Sequence, residues 1–173
     1  IKGYKSIKEC NLTLKRINVL IGSNGAGKSN FISAFTLLQS ILKKELQLYT
    51  QQCGVNSLFY NGRSTTDQIY FEVFFENNSY GFYLMPTDDN RIISKGFYGW
   101  GDIESKVASA HEESQWEKGV PNGIDKYVRP ILQKKMWRVY HFHDTSRTAK
   151  VKQEHNISNN QSLLFDDRIL QLF

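Results

Sequence analysis

The sequence is poor in cysteine. Cys10 and Cys53 are its only two in 173 residues. That is too few for a disulfide framework, and it suits a reducing, cytoplasmic setting. Long apolar runs are missing as well. No stretch approaches 18 consecutive apolar residues, so the sequence offers no membrane-spanning helix. No charged-then-apolar leader with a small-residue cleavage site opens the chain, and secretion finds no support. Internal repeats and low-complexity tracts are also lacking. Neither charge sign dominates: 22 Lys and Arg against 17 Asp and Glu give a net charge of +5. That permits nucleotide or nucleic-acid partners without demanding them. What is present is an apolar fraction of 40% with 13% aromatics, which excludes wholesale disorder. The length is that of one ordinary domain, able to bury about two-thirds of its unfolded surface. The chain opens at Ile1 without methionine and closes inside the apolar run Ile169-Leu170-Gln171-Leu172-Phe173. The expectation is a piece of something longer.

Along the chain, Asn11 to Leu14 and Ile17 to Ile21 read as short strands. The second is mostly apolar, as a strand buried on both faces should be. It runs into a glycine-rich stretch that cannot be regular structure, and a helix pattern follows from Lys28. Phe31, Ile32, Phe35, Leu38 and Leu42 recur at three- and four-residue spacing, widened by Leu37 and Ile41. Lys43 and Lys44 lie near its end, where cations suit the helix dipole. Gly54 marks the exit. Gln68 to Phe75, Ser79 to Leu84 and Arg91 to Phe97 are strand-like runs separated by turns, which is an antiparallel meander. The stretch 99–122 is polar and yields no organisation. Ile124 to Lys135 suits a short helix, Trp137 to Phe142 another strand, and 144–162 a loop.

The chemistry sits in Gly22-Ser23-Asn24-Gly25-Ala26-Gly27-Lys28-Ser29, which fits the P-loop pattern of Gly, four residues, then Gly-Lys-Ser in full. Backbone N–H groups must wrap around phosphate oxygens, so side chains must be small and left-handed angles must be accessible. Gly22, Gly25 and Gly27 supply this. Lys28 would bring its ammonium to the β- and γ-phosphates, Ser29 would hold Mg²⁺, and the helix that starts here aims its positive end at the same anion. The pattern arises by chance in roughly one of 150–200 chains of this length. An apolar strand before and a helix after are the context it requires. Guanine-nucleotide enzymes carry Asp-x-x-Gly and Asn-Lys-x-Asp, and neither occurs, so ATP is the expected nucleotide.

The run Ile1-Lys2-Gly3-Tyr4-Lys5-Ser6-Ile7, then Leu12-Thr13-Leu14, then Ile17 through Asn30 resembles the opening of RecF/SMC-like, ABC-type ATPases. Their usual form is I-x-x-F-K-S, a short strand, then N-V-L-I-G-x-N-G-x-G-K-S-N. Tyr4 stands where phenylalanine is usual, and Asn24 and Asn30 match. Val139 to Ser146 is similar to a segment of the AAA-family ATPases of OLD-like, Septu-type and retron-linked antiphage systems. The resemblance implies an α/β P-loop NTPase fold of ABC-head type, with parallel core strands and an antiparallel β subdomain. It also implies that Lys5 and Ser6 approach the nucleotide beside Ser23, Asn24, Ala26 and Asn30; an ordinary solvated strand edge is the alternative for those two. In such heads a Q-loop glutamine follows a strand, and here His143 occupies that place. Against this, His141 and His143 share one face of a strand end by period-2 geometry alone. A metal site of His141, His143 and Asp144 lacks further ligands to complete it. A Ser146–His143–Asp144 relay lacks a nucleophile elbow. Lys134, Lys135, Arg138, Arg147, Lys150 and Lys152 could face nucleic acid, though a solvated face is the plainer reading.

The other half of the ABC apparatus is not legible. Walker B needs four apolar residues before Asp-Glu, and Leu163-Leu164-Phe165-Asp166-Asp167 only faintly matches. No signature or switch histidine is evident. The expectation is the amino-terminal lobe of such a head over 1–173: first strands, P-loop and helix in 1–50, meander in 68–97, an unassigned 98–136, and a Q-loop-like strand with its sequel in 137–173. Such a piece should bind ATP and Mg²⁺ better than it turns ATP over. The resemblance implies ATP-sandwiched self-association, a nuclease partner (HNH among the types), and antiphage defence or repair without a membrane. The alternatives are a scaffold that holds nucleotide without hydrolysis and a transporter's nucleotide-binding domain.

Overall fold

The computed structural model describes residues 1–101, 103–107 and 109–133. Six strands form one sheet in the order β2-β1-β3-β4-β5-β6. They are β1 (Lys2–Tyr4), β2 (Ile7–Glu9), β3 (Ile69–Phe75), β4 (Asn78–Pro86), β5 (Ile92–Trp100) and β6 (Ile103–Lys106). All these pairings are antiparallel. The helices are α1 (Lys28–Lys43), α2 (Leu46–Cys53), α3 (Val55–Leu58) and α4 (Asp125–Gln133).

The expected meander is β3, β4 and β5, in the register Phe71↔Phe82 and Tyr80↔Tyr98. Alternation puts Ile69, Phe71, Tyr80, Phe82, Leu84, Ile92 and Tyr98 on one buried face. Against it α1 lays its apolar stripe, with Ala34, Leu37, Leu38 and Ile41 fully buried. Phe71 and Phe82 stack with centroids 5.2 Å apart, and Phe35 meets Phe71 edge-on at 6.2 Å. The core therefore lies between the meander and α1, and its packing fixes the helix whose first turn follows the glycine loop.

The strands expected at 11–14 and 17–21 are not there. The hairpin lies earlier, as β1 and β2, with Lys2 opposite Glu9 and Tyr4 opposite Ile7. Residues 10–23 run without regular structure. Ile17, Val19 and Ile21 are 78%, 57% and 91% exposed rather than buried on both faces. The reason is pairing: a strand needs neighbours for its N–H and C=O groups, and no described strand lies alongside. The backbone instead closes on Asn18, whose Oδ1 accepts from Lys15 N at 2.9 Å while its Nδ2 donates to Lys15 O at 2.7 Å. Parallel core strands are likewise absent among the described residues. The strand expected at 137–142 lies outside them.

The region 99–122, which the sequence left unorganised, caps the helices. Glu113 accepts from the N–H groups of Leu46 and Gln47, each at 3.0 Å, and so starts α2. The Trp116 indole donates to Leu42 O at 2.9 Å near the end of α1. The helix expected at Ile124 to Lys135 is α4, whose Asp125 receives Val120 N at 3.1 Å and Arg129 Nη1 at 3.2 Å. Among the described residues no helix is long and apolar enough to cross a membrane.

Candidate phosphate-binding site

The glycine loop is built as phosphate binding requires. Gly25 and Gly27 hold φ of +83° and +89°, angles that an L side chain resists. Ala26 N donates to Ser23 O at 3.2 Å, which tightens the loop. Phe31 N then donates to Gly27 O at 2.9 Å, the first bond of α1. Gly27 is the N-cap and offers no side-chain cap, and the first turn carries no acidic residue. The leading N–H groups of a helix have no intrahelical partner. Here they sit beside a solvent-exposed loop, Gly22 to Ala26, at the positive end of a 16-residue helix dipole.

Lys28 lies back over the loop. Its Nζ folds back and donates to Gly22 O at 2.6 Å and Ser23 O at 2.7 Å. The ammonium is thus already over the loop, held by two carbonyls that a phosphate would outcompete as partners for a cation. Ser29 is exposed at the second helical position. The donor set fits a nucleotide phosphate. For Mg²⁺ it offers one hydroxyl, consistent with an ion that otherwise takes phosphate oxygens and waters. Among the described residues no group of three His, Cys, Asp or Glu could hold a metal by itself.

The structure also brings Lys5 and Ser6 to this helix. They form the turn between β1 and β2, with Lys5 at φ +48°. Asn30 Nδ2 donates to Ser6 Oγ at 2.7 Å. A methyl group on Gly27 would lie 3.4 Å from that same Ser6 oxygen. Lys5 Nζ donates to Ser33 Oγ at 3.1 Å, one turn further along α1. So Lys5, Ser6, Gly27, Lys28, Ser29 and Asn30 are gathered around one helix start. His143 lies outside the described residues, as do His141, Asp144, Ser146 and the basic residues from Lys134 onward.

Sequence reasoning missed three residues that support this arrangement. The Tyr4 hydroxyl is 3.0 Å from Ser33 Oγ and 2.9 Å from the Tyr49 hydroxyl. Burial is the largest of the influences that push the Tyr49 phenol well above its ordinary range, followed by its contact with Tyr4, so it stays protonated and able to donate. The one available signal was Tyr4 standing where phenylalanine was expected.

A hollow lies elsewhere, a groove of about 1130 Å³ between residues 9–16, Asn18, Phe31, Phe35 and β3. Its walls are mainly apolar, and none of the loop from Gly22 to Ser29 lines it. The groove and the glycine loop are therefore separate places on the molecule.

Residues 17–172 match a family model described as an AAA domain, with the AbiEii toxin and the type IV toxin–antitoxin (TA) system named beside it. No curated protein and no solved structure matches the chain significantly.

Proposed function

The chain belongs to that AAA-domain family, whose P-loop fold binds nucleotides, and from this premise we propose that it is the ATP-binding lobe of an ABC-type, RecF/SMC-like ATPase head. One observation carries the reading: an uncapped helix start behind an exposed glycine loop, with Lys28 already poised over it. ATP would take Lys28 from its two carbonyls, place its β- and γ-phosphates on the loop N–H groups, and present Mg²⁺ to Ser29. Lys5 and Ser6 would close the side of the cradle against Gly27 and Asn30. Phosphoryl transfer asks mainly for positioning and charge neutralisation, and these groups supply both.

The test is nucleotide affinity, read with a fluorescent ATP analogue and Mg²⁺. A charge-assisted hydrogen bond is worth about 1.5–3 kcal/mol. Lys28→Ala should therefore weaken binding by roughly 10- to 100-fold while leaving the melting temperature nearly unchanged. Equal affinity in wild type and variant sinks the proposal.

Two ATP-bound copies would associate head to head, with opening driven by hydrolysis, in an antiphage-defence or repair complex that acts on nucleic acid with a nuclease partner. The toxin–antitoxin wording of the family description supports a defence setting. A second reading has one observation in its favour. Among the described residues the Lys28 ammonium and the loop are hydrogen-bonded to backbone carbonyls and not to a carboxylate. The lobe would then bind nucleotide as a scaffold without turnover. Steady-state phosphate release by the whole protein separates the two: turnover abolished by Lys28→Ala supports the ATPase, and binding without turnover supports the scaffold.

A further inference from the structure

The hydroxyl cluster behind α1 has a direction that its geometry determines. Ser33 Oγ donates its single proton to Asn30 O at 2.9 Å. Its two lone pairs must then accept. One takes Lys5 Nζ at 3.1 Å, an ammonium that can only donate. The other takes Tyr4, so the Tyr4 hydroxyl at 3.0 Å is the donor. With its proton committed, Tyr4 can only accept from Tyr49, 2.9 Å away. Of the other groups beside Tyr49, Ser33 O at 3.5 Å is too long to compete, and the Cys53 thiol is a weak partner. The chain thus runs from Tyr49 on α2 to Tyr4 on β1, to Ser33, to the carbonyl of Asn30 in the first turn of α1. The Tyr4 ring also lies under the same ammonium, with Lys5 Nζ 5.4 Å from its centroid.

Each hydroxyl in this cluster has a partner for its proton, and Tyr4 is fully buried. Satisfied polar networks of this kind hold side chains in one arrangement. What they hold is Lys5, a long flexible cation that would otherwise sweep through solvent. Tyr4 and Lys5 precede the residues matched by the family, 17–172, and a phenylalanine at position 4 would make none of these hydroxyl bonds.

We propose that Tyr4 and Tyr49 are positioning residues, whose hydroxyl chain holds the Lys5 ammonium against Ser33 in the second turn of α1, the helix that opens at the phosphate cradle. This rests on the nucleotide reading above for its consequence, though not for its geometry. Tyr49 brings α2 into the arrangement, so nucleotide affinity answers to a helix that touches no part of the loop.

Two measurements test it on the whole chain. The first is amine acylation read by mass spectrometry, comparing Lys5 with its exposed neighbour Lys8. Tyr4→Phe leaves Ser33 free to turn away from the ammonium, and should raise Lys5 labelling relative to Lys8 by up to about fivefold, the weight of the one net hydrogen bond that Lys5 then stands to lose. Tyr49→Phe should act in the same direction and less. Melting curves confirm that both variants fold. Unchanged Lys5 labelling in folded Tyr4→Phe overturns the proposal. The second is a double-mutant cycle on affinity for the fluorescent ATP analogue. Tyr4→Phe should weaken binding several-fold when Lys5 is present and have no effect in a Lys5→Gln background, since Tyr4 acts through Lys5. Additive effects in the cycle would mean that Tyr4 serves the fold alone, and the proposal fails while the nucleotide reading stands. If the wild type binds no nucleotide yet the labelling change is seen, the positioning holds and the nucleotide reading fails.

Discussion

Gly25 and Gly27 share a left-handed backbone but differ in surroundings, and the difference can be measured. A methyl group on Gly25 would meet nothing within 4 Å, whereas on Gly27 it would lie 3.4 Å from Ser6 Oγ. Both alanine variants incur the left-handed penalty of roughly 1–2 kcal/mol. Only Gly27→Ala would also set a methyl group in contact with the turn that carries Lys5. Nucleotide affinity should therefore fall further for Gly27→Ala than for Gly25→Ala, at similar losses in melting temperature. Equal losses of affinity would show that the β1–β2 turn does not bear on the cradle. Gly81 is a different case. A methyl group there would stand 2.2 Å from Phe97 Cζ and 2.8 Å from Phe71 O, within the sheet and not at the site. Gly81→Ala should cost several kcal/mol, in the range of severe overpacking, and should melt the meander without selectively weakening binding at temperatures where it stays folded.

Elements record what the sequence could and could not reveal. The meander and α1 were legible because each carries its own period, two for β3 to β5 and 3.6 for the Phe31–Leu42 stripe. The P-loop was legible because its glycines answer a backbone demand that few other sequences meet. α2 was not, because its start is fixed by Glu113, 67 residues from Leu46 in the chain. The strand expected at 17–21 failed for the opposite reason: its apolar composition describes a buried strand, but burial needs neighbouring strands that composition cannot supply. Lys5 and Ser6 were legible by resemblance alone; their contact with Asn30 and Ser33 is tertiary. At the start of α4, burial alone would raise the Asp125 carboxyl, but the Val120 N–H and Arg129 outweigh it and hold the group below its ordinary range. A carboxyl depressed on folding stabilises the protein above its unfolded value of about 3.9. That contribution fades as pH falls through the lower folded value. Asp125→Asn should therefore lower the melting temperature at pH 7 and have a shrinking effect as pH drops below about 4. A pH-independent difference would show that packing, not the charge, is what Asp125 contributes.

At the scale of the whole molecule, the well-packed meander and its helices adjoin a stretch with little packing of its own. Residues 10–23 cross the open groove beside β3, where Leu12 and Leu14 line the cavity while Ile17 and Ile21 face solvent. Exposed backbone without ladder partners opens at almost no free-energy cost, so proteolysis samples it first. Lys15 and Arg16 are exposed cleavage points in that stretch, whereas Lys95 lies in the interior of β5, paired with Tyr83 of β4. Limited trypsin digestion should cut after Lys15 or Arg16 well before Lys95. ATP with Mg²⁺ should slow cleavage after Lys28, whose side chain it would recruit, more than cleavage at Lys15 and Arg16, which touch no part of the loop. Lys28→Ala removes the reporting cut itself, so Ser29→Ala is the control: with its metal hydroxyl gone, the Mg²⁺-dependent part of the protection at Lys28 should diminish. Protection of Lys15 and Arg16 as strong as that of Lys28 would mean that nucleotide orders the whole 10–23 stretch, and that the loop and the segment before it are one cooperative unit. Early cutting at Lys95 would mean instead that the meander, not the open segment, is the weakest part of the molecule.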